Sequence, residues 1–362
     1  MLSSKKVALV GAFPPPVHGF SVANEAVEGN LKLKSLEAVR CDLSPGRGDH
    51  QLQRSFDFLQ RLLKTLAVLM FSDVGMVYLA LSGGPRQLID LFAIAIARIK
   101  SRRIIIHHHS FAYINQRKSL TDLVIRFAGR PATHIVLCAC MAQRLRTLYS
   151  GAAKSICLSN LALTLPLNDL EREQQGVRRT GPLRSVGYLS NITVEKGFLT
   201  FIEVAERLQQ SCPNVRAIVA GPFSDRESRQ AYEFAVKRGV SLEYRGPVYG
   251  AAKQEFFSAI DILLFPTRYV NEAEPIVILE AISGGIPVVA TARGCISEML
   301  PNEAGRAIDD AAWFDIHNWL AELAGSPSNM DDLRVSTWQS AVSMIDAAIS
   351  QRKQWLSVLA GN

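Results

Sequence analysis

Three carboxylates interrupt an otherwise apolar segment of the chain, NEAEPIVILEA, residues 271–281. Glu272 and Glu280 lie eight positions apart, and Pro275 stands between them where a helix can begin, because proline is tolerated in the first helical turn. This spacing predicts that Glu272 lies in a loop and Glu280 lies more than one turn inside a helix. Glu274 is then expected to be a charge at the helix start that faces solvent and complements the helix dipole.

Glu280 needs polar partners, because its neighbours along the predicted helix are apolar. Two vicinal hydroxyls of a ribose or a hexose donate two hydrogen bonds in the geometry that a carboxylate accepts. The free N–H groups at a helix start also favour a nearby phosphate. The segment therefore indicates a ligand that carries sugar hydroxyls and phosphate.

The elements around this segment alternate between short β-branched runs and longer helical patterns, which is typical of parallel sheets with crossover helices. Strands are predicted at 7–13, 74–81, 103–109, 133–139, 154–159, 184–190, 216–222, 241–246, 261–267 and 286–292. Helices are predicted at 21–34, 87–99, 199–210, 229–238 and 275–283, with one or two amphipathic helices over 335–359. Because ligands of such sheets bind beyond the carboxyl ends of the strands, the strand-to-helix loops hold the candidate residues.

The pattern divides the chain into two similar halves, which predicts an α/β fold with two Rossmann-like parallel-sheet domains. The predicted parts are an N-terminal domain over 1–165, a linker over 166–182, a C-terminal domain over 183–335 and C-terminal helices over 336–362. The linker is assigned because its sequence is polar and lacks a sustained period.

The segment from Glu272 to Glu280 and Ala281, followed by SGGIPVVATARGCISE, resembles the nucleotide-sugar site of retaining glycosyltransferases of the GT-B fold, family 4 (glycosyl transferases group 1). The resemblance implies two domains that face a cleft, the C-terminal one binding the donor and the N-terminal one the acceptor. It implies that Glu272 contacts donor-sugar hydroxyls and that Glu280 contacts the ribose diol. Ala273 and Pro275 stand where many members have glycines, which predicts a stiffer loop.

A second matching segment is VGYLSNITVEKGF, residues 186–198. The resemblance implies that Lys196 binds the donor diphosphate as a point charge. Tyr188 occupies a position where many members have an arginine, and Arg268 is the candidate to supply the missing positive charge. Asn191 in the same segment is a further candidate. Considered alone, Lys196 is better explained as a solvated lysine at a helix start, and its pairing with the Glu272–Glu280 spacing favours the donor-binding interpretation.

The resemblance extends more thinly to the N-terminal half. In the first loop, GAFPPPVHGFS (11–21), Gly19 matches a glycine-rich turn that faces the donor phosphates, and His18 stands where a second glycine is common. In HHHSFAY (107–113), strand alternation allows at most His107 and His109 to share a face, and the segment predicts no metal site. The resemblance implies that His109 reaches the donor sugar near the reacting centre, with His107 as the next candidate. In the C-terminal half, Glu298 matches a glutamate that ends a glycine-containing loop.

Charge and cysteine content limit the setting. The formal net charge is +7, and residues 1–150 contain 20 Lys and Arg against 9 Asp and Glu. A basic N-terminal half predicts contact with acidic lipid headgroups or a phosphorylated acceptor, and solvated surface is the alternative. The six cysteines form no CxxC pair, so neither a disulfide framework nor a zinc site is indicated, and a cytoplasmic location is expected. The N-terminus lacks a signal-peptide pattern, and the apolar stretches are too short to span a bilayer, so any membrane contact is peripheral.

The resemblance implies a retaining, metal-independent transferase of the hexosyltransferase type (EC 2.4) that needs no cofactor. Its donor would be a UDP- or GDP-sugar and its acceptor a glycan or a lipid-linked molecule, in bacterial surface polysaccharide synthesis on the inner face of the membrane. A donor phosphate oxygen would take the acceptor's proton. Two alternatives remain open: a nucleotide-sugar epimerase of the same fold, and a basic nucleic-acid-binding protein. The second is disfavoured because few aromatic residues accompany the N-terminal Lys and Arg, and no nucleic acid partner is expected.

Overall fold

The computed structural model describes residues 6–15, 17–46, 50–164 and 180–360. The chain divides into two compact units, the first comprising Met1–Leu165 and Ala348–Asn362, and the second Pro166–Ala347. Most of the predicted linker, from residue 166 to residue 179, lies outside the described residues. Within the described ranges, no helix is long and apolar enough to cross a membrane.

The first unit contains one parallel sheet of six strands in the order β2-β1-β3-β4-β5-β6. Its strands are β1 (Lys6–Gly11), β2 (Glu37–Asp42), β3 (Met76–Leu81), β4 (Arg103–His108), β5 (Thr133–Val136) and β6 (Ser155–Cys157). Its helices are α1 (Gly19–Lys32), α2 (Gln51–Phe71), α3 (Gln87–Ile99), α4 (Ser119–Ala128), α5 (Ala139–Leu148) and α6 (Asn160–Thr164).

The central strands of this sheet are apolar on both faces, as expected where helices cover a parallel sheet on two sides. All six residues of β3, MVYLAL, are buried. The connections from β2 to β3, from β3 to β4 and from β4 to β5 all advance in one direction across the sheet. Because such crossovers are right-handed, α2, α3 and α4 lie on one face of the sheet, and α3 packs against both of the others.

The second unit contains another six-stranded parallel sheet, in the order β12-β11-β10-β7-β8-β9. Its strands are β7 (Ser185–Leu189), β8 (Arg216–Ala220), β9 (Leu242–Tyr244), β10 (Ile262–Phe265), β11 (Val288–Thr291) and β12 (Gly305–Ile308). Its helices are α7 (Phe198–Ser211), α8 (Arg226–Lys237), α9 (Gly250–Ala259), α10 (Ile276–Ser283), α11 (Ile296–Met299) and α12 (Ile316–Gly325), followed by α13 (Pro327–Ala360), whose last part belongs to the first unit.

The adjacency of two strands in this sheet positions the candidate residues. Strands β7 and β10 are direct neighbours, with Val186 opposite Ile262 and Gly187 opposite Leu263. The loops that leave their carboxyl ends therefore start side by side. The first carries Lys196 and the second carries Glu272, so the topology alone brings together two residues that lie far apart in the sequence.

Candidate functional site

Lys196 and Glu272 form an ion pair in the second unit. The Nζ of Lys196 lies 2.6 Å from Oε2 of Glu272, across a separation of 76 residues in the sequence. The same oxygen accepts a hydrogen bond of 3.0 Å from the hydroxyl of Thr267. Glu272 is buried, at 8% exposure, whereas the Lys196 side chain is 25% exposed. A charged pair of this kind, with one partner open to solvent, can bind a polar ligand that carries an anionic group.

The loops after β7 and β10 contact each other through their backbones. Gly197 follows Lys196 with φ of +78°, and a Cβ atom at this position would lie 1.7 Å from the carbonyl oxygen of Pro266. The N–H of Arg268 donates to the carbonyl of Glu195 at 2.8 Å. Only glycine permits both the left-handed conformation and this close approach. The Lys-Gly pair is therefore required for the geometry that holds Lys196 beside Glu272.

Replacing Gly197 by alanine is expected to lower the free energy of unfolding of the second unit by on the order of 3 kcal/mol, because backbone strain and overlap with Pro266 add. Gly239 is a matched control, since its φ is +92° but a Cβ there would meet nothing within 4 Å. Its alanine variant is expected to lose about 1 kcal/mol, from the strain alone. Urea unfolding followed by circular dichroism measures both variants, and equal losses would contradict the predicted overlap.

Tyr188 occupies the position where the resemblance predicts an arginine in many family members. Its hydroxyl donates to the carbonyl of Lys196 at 3.2 Å, and its ring packs against Phe198 and Phe201 with centroid distances of 5.3 Å and 5.2 Å. Burial raises the pKa of the phenol well above its ordinary value, so Tyr188 stays neutral. The side chain at this position holds the backbone of Lys196 and supplies no positive charge.

Two arginines lie at the loop after β10: Arg268 is part of that loop, and Arg293 follows β11 and contacts it. The side chain of Arg268 is exposed and has no hydrogen bond or ion pair to the described part of the chain. Arg293, which the sequence did not single out, donates from Nε to the carbonyl of Thr267 at 3.1 Å and pairs with Asp310 at 2.6 Å. Arg293 therefore contacts the residue that also binds Glu272. Its position directly before Gly294 was the signal that could have identified it.

The loop over 271–275 is covered by the segment before α11. The N–H of Cys295 donates to the carbonyl of Ala273 at 2.9 Å, and a Cβ atom on Gly294 would lie 2.1 Å from the carbonyl oxygen of Glu272. Glu274 is buried, at 7% exposure. The prediction that Glu274 is a solvent-facing charge at the helix start is therefore wrong, because this neighbouring segment folds over the loop.

Glu280 lies in the middle of α10 and is half-buried. Its Oε1 pairs with Nζ of Lys253 on α9 at 2.5 Å, which supplies the polar partner that its apolar neighbours do not. At the start of the same helix, the N–H groups of Ile276 and Val277 donate no hydrogen bond to any described residue. Such free amides, together with the helix dipole, favour an anion. The second unit thus presents a carboxylate, a lysine and open amides on one short helix and its neighbour.

The candidate residues of the first loop lie at the start of α1. His18 caps the helix, accepting at Nδ1 from the N–H of Ser21 at 3.2 Å, while the Ser21 hydroxyl accepts from the N–H of His18 at 3.1 Å. Partial burial lowers the pKa of His18. Gly19 is the first residue of α1, and a Cβ there would meet nothing within 4 Å. Packing with the described residues does not require glycine at this position.

His107 and His109 lie together at the carboxyl end of β4, as strand alternation predicts. Their ring centroids are 3.8 Å apart, and the ring of Phe20 meets His109 edge-on at 5.2 Å. Nδ1 of His107 shares a hydrogen bond of 2.9 Å with the hydroxyl of Tyr78. Nε2 of both histidines is buried and has no hydrogen-bond partner among the described residues. Burial lowers the pKa of His109 to about 3 and that of His107 well below its ordinary value, so both imidazoles are neutral at pH 7.

The two remaining candidates are exposed. Asn191 follows β7 on the loop that leads to Lys196, and Glu298 lies in α11, after the segment that covers the Glu272 loop. Asn191 lies in a loop as expected, whereas Glu298 lies in a short helix and not at the end of a loop, and the roles of both stay predictions.

Residues 171–334 match the family model described as glycosyl transferases group 1. This match confirms the resemblance for that part of the chain, which contains Lys196, Glu272 and Glu280. No curated protein matches the sequence.

Solved structures share the fold across the whole chain. HepE from Anabaena in complex with UDP has a TM-score of 0.71 and 17% identity, covering 99% of this chain and 100% of that chain. HepE in complex with UDP-glucose has a TM-score of 0.65 and 16% identity, covering 98% and 99%. Sucrose-phosphate synthase from Thermosynechococcus elongatus has a TM-score of 0.71 and 15% identity, covering 99% and 100%. The predicted fold class, GT-B with two Rossmann-like domains, is confirmed.

Proposed function

We propose, from the match of residues 171–334 to glycosyl transferases group 1, that this chain is a retaining glycosyltransferase. It moves a hexose from a UDP- or GDP-sugar to a glycan or a lipid-linked acceptor. The observation that supports this proposal best is the ion pair of Lys196 and Glu272, because the fold brings together, at 2.6 Å, the cation and the carboxylate that the resemblance assigns to the donor diphosphate and the donor sugar. HepE, which has the same fold, has been solved in complex with UDP-glucose, and this favours UDP as the nucleotide of the donor.

We assign a role in donor binding to these candidate residues. Lys196 binds the donor diphosphate, Glu272 accepts hydrogen bonds from the sugar hydroxyls, and Glu280 accepts them from the ribose diol. Asn191, Glu298 and the first loop, with His18 and Gly19, add polar contacts around the donor. The assignment of Glu280 requires that both carboxylate oxygens can accept hydrogen bonds from the ribose while Lys253 lies beside them.

The transfer is proposed to proceed without a metal ion. The departing nucleoside diphosphate develops negative charge, and Lys196, Arg268 and the free amides at the start of α10 offset it. A phosphate oxygen of the donor takes the proton of the attacking acceptor hydroxyl on the same face of the sugar. His109, with His107 behind it, contacts the donor sugar near the reacting carbon as a neutral hydrogen-bonding group.

The setting that fits this chemistry is the synthesis of bacterial surface polysaccharide on the cytoplasmic side of a membrane. A lipid-linked acceptor is presented at that surface. The basic first unit then contacts anionic lipid headgroups peripherally.

A thermal-shift screen against UDP- and GDP-sugars tests the donor assignment. The melting temperature of the protein is expected to rise with a UDP-sugar, and Glu280→Gln is expected to weaken donor affinity by about 10- to 100-fold, since hydrogen bonds to a charged group are lost. Glu255→Gln is the matched control, because Glu255 is an exposed carboxylate on α9, the helix that also carries Lys253. It is expected to leave donor affinity unchanged.

Two results would count against the proposal. If no nucleotide sugar stabilises the wild-type protein, donor binding itself is refuted, and equal stabilisation of Glu280→Gln refutes the role of Glu280. Incubation with donor alone separates transfer from its nearest alternative: a nucleotide-sugar epimerase would convert the donor sugar in the absence of acceptor, and a transferase would not.

A further inference from the structure

Helix α2 in the first unit carries an apolar stripe that faces away from the protein. Leu52, Phe56, Leu59, Leu63 and Met70 follow one another at helical spacing and are between 41% and 86% exposed. Of the 21 residues of α2, only Thr65 and Leu69 are buried. A helix that packs on a sheet normally turns its apolar stripe inward. Here the stripe points outward.

Helix α3, beside α2, repeats the pattern. Its sequence QLIDLFAIAIARI is apolar almost all round, and small or compact residues such as Ala93 and Ala97 face the sheet. Leu88, Phe92 and Ile99 face outward and are 52%, 65% and 82% exposed. A helix that is apolar on all sides is normally surrounded by protein or lipid and has no side open to water. No described residue covers the outer side of α3.

Helix α4 extends the same surface. Leu123 and Phe127 on its outer side are 40% and 49% exposed. Because α2, α3 and α4 lie on one face of the sheet with α3 between the others, the exposed residues of the three helices share a surface, called here the apolar helix face. Contiguous exposed apolar areas of this kind mark interaction sites.

The positive charge of the chain is concentrated in the segment that contains these three helices. Residues 50–130 contain 12 Lys and Arg against 4 Asp and Glu, a net charge of +8, whereas the whole chain carries +7. Exposed basic side chains lie on all three helices and at their ends, among them Arg54, Lys64, Arg98, Lys100, Lys118 and Arg130.

Four acidic residues lie in the same region, Asp57, Asp73, Asp90 and Asp122. Asp57 pairs with Arg61 at 3.1 Å, and Asp122 pairs with Arg126 at 2.9 Å. Asp90 is buried, and burial raises its pKa to about 7. Basic side chains therefore outnumber acidic ones in the segment that carries the apolar helix face.

We propose that the apolar helix face binds the surface of an anionic lipid bilayer. The leucine and phenylalanine side chains enter the boundary between headgroups and acyl chains, and the surrounding Lys and Arg contact the lipid phosphates. A second copy of the chain is a poorer occupant, because a symmetric contact would bring two surfaces of net positive charge together. The inference rests on the proposed function only in that a lipid-linked acceptor would be met at this surface.

Flotation of the full chain with lipid vesicles tests the proposal. Wild-type protein is expected to float with vesicles of equimolar phosphatidylcholine and phosphatidylglycerol and to bind vesicles of pure phosphatidylcholine at least about tenfold more weakly. The double variant Phe56→Ser with Phe92→Ser is expected to lower binding to the anionic vesicles by about tenfold or more, because both side chains leave the bilayer boundary.

The matched control is Phe234→Ser with Phe314→Ser in the second unit, where both rings are exposed to a similar extent, 61% and 62%. This control is expected to bind like the wild type. Equal binding to both kinds of vesicle, an equal fall in both double variants, or a wild-type dimer in light scattering that Phe56→Ser with Phe92→Ser dissociates would each overturn the proposal. Donor-induced thermal shifts are measured on the same samples. If the donor stabilises the protein but the protein does not bind vesicles, the membrane proposal is refuted and the proposed function is not.

Discussion

Replacement of Lys196 by methionine is expected to lower kcat/KM for the nucleotide sugar by a factor on the order of 10² to 10³. Methionine keeps an unbranched side chain in the space beside Tyr269, whose ring lies 4.8 Å from the Lys196 ammonium, but it removes the charge. Because the leaving diphosphate gains negative charge as the sugar bond breaks, the loss is expected in kcat as well as in KM. Steady-state kinetics with a saturating acceptor measures both constants.

A structural role of the same lysine predicts a different result. Removing the ammonium leaves the buried carboxylate of Glu272 without its cation, which is expected to cost about 1–3 kcal/mol of stability. Adding Glu272→Gln to the variant removes that buried charge and is expected to restore stability but not activity. If the double variant regains activity together with stability, Lys196 acts on the fold and not on the donor. Lys237→Met, an exposed lysine on α8, is the control for loss of charge.

The second large effect is expected at His109. His109→Leu keeps the approximate volume beside Phe20 and His107 but removes Nε2, and it is expected to lower kcat by about 10²-fold, the size typical of a lost polar group at a reacting centre. His109→Asn, which retains a short amide, is expected to keep part of the rate. Equal activity of the leucine variant and the wild type would remove His109 from the mechanism.

The pH dependence of kcat provides a second test of the proposed role of His109. Burial lowers the pKa to about 3, so the neutral imidazole is the form present throughout the neutral range. The wild-type kcat is therefore expected to show no inflection from His109 between about pH 5 and pH 9. An inflection near the ordinary histidine pKa that is absent from His109→Leu would contradict a neutral role. His317, a half-buried histidine on α12, provides the control variant His317→Gln.

The same depressed pKa affects stability in a defined direction. In the unfolded chain, His109 binds a proton near its ordinary pKa of about 6.5, whereas in the folded protein it does so only near 3. The unfolded state therefore binds more protons across this window, and the contribution of His109 to the free energy of unfolding is lost as pH falls from about 6.5 to about 3. His109→Leu is expected to make acid unfolding less steep.

The sequence predicted helices and strands correctly where apolar residues repeat with the period of a helix or of a strand. The helix expected over 87–99 coincides with α3, and the ten predicted strands all correspond to strands of the two sheets. Strands β2 and β12 were not predicted, because each lies at the edge of its sheet, is only partly buried and has no apolar run. Helix α2 was not assigned either, although its second half was noted as apolar.

The candidate site was predictable as separate residues but not as an arrangement. Local motifs identified Lys196 and Glu272, while their ion pair depends on β7 and β10 being neighbours, which no local spacing encodes. The burial of Glu274 depends on a segment twenty residues further along the chain, around Gly294 and Cys295, so the local rule for helix starts gave the wrong environment. The position of Arg293 directly before Gly294 could have identified the residue, but its contact with the loop after β10 depends on the same distant segment and no local spacing encodes it.

The ion pair of Lys196 with Glu272 has a consequence for how a donor would arrive and leave. Without a donor, the ammonium already has an anionic partner. If Lys196 binds the donor diphosphate as proposed, the diphosphate competes with the carboxylate of Glu272 for that ammonium, and a weaker ion pair leaves Glu272 more available to the sugar hydroxyls. After transfer, re-formation of the ion pair would compete with the spent nucleoside diphosphate, and on this proposal it would favour product release.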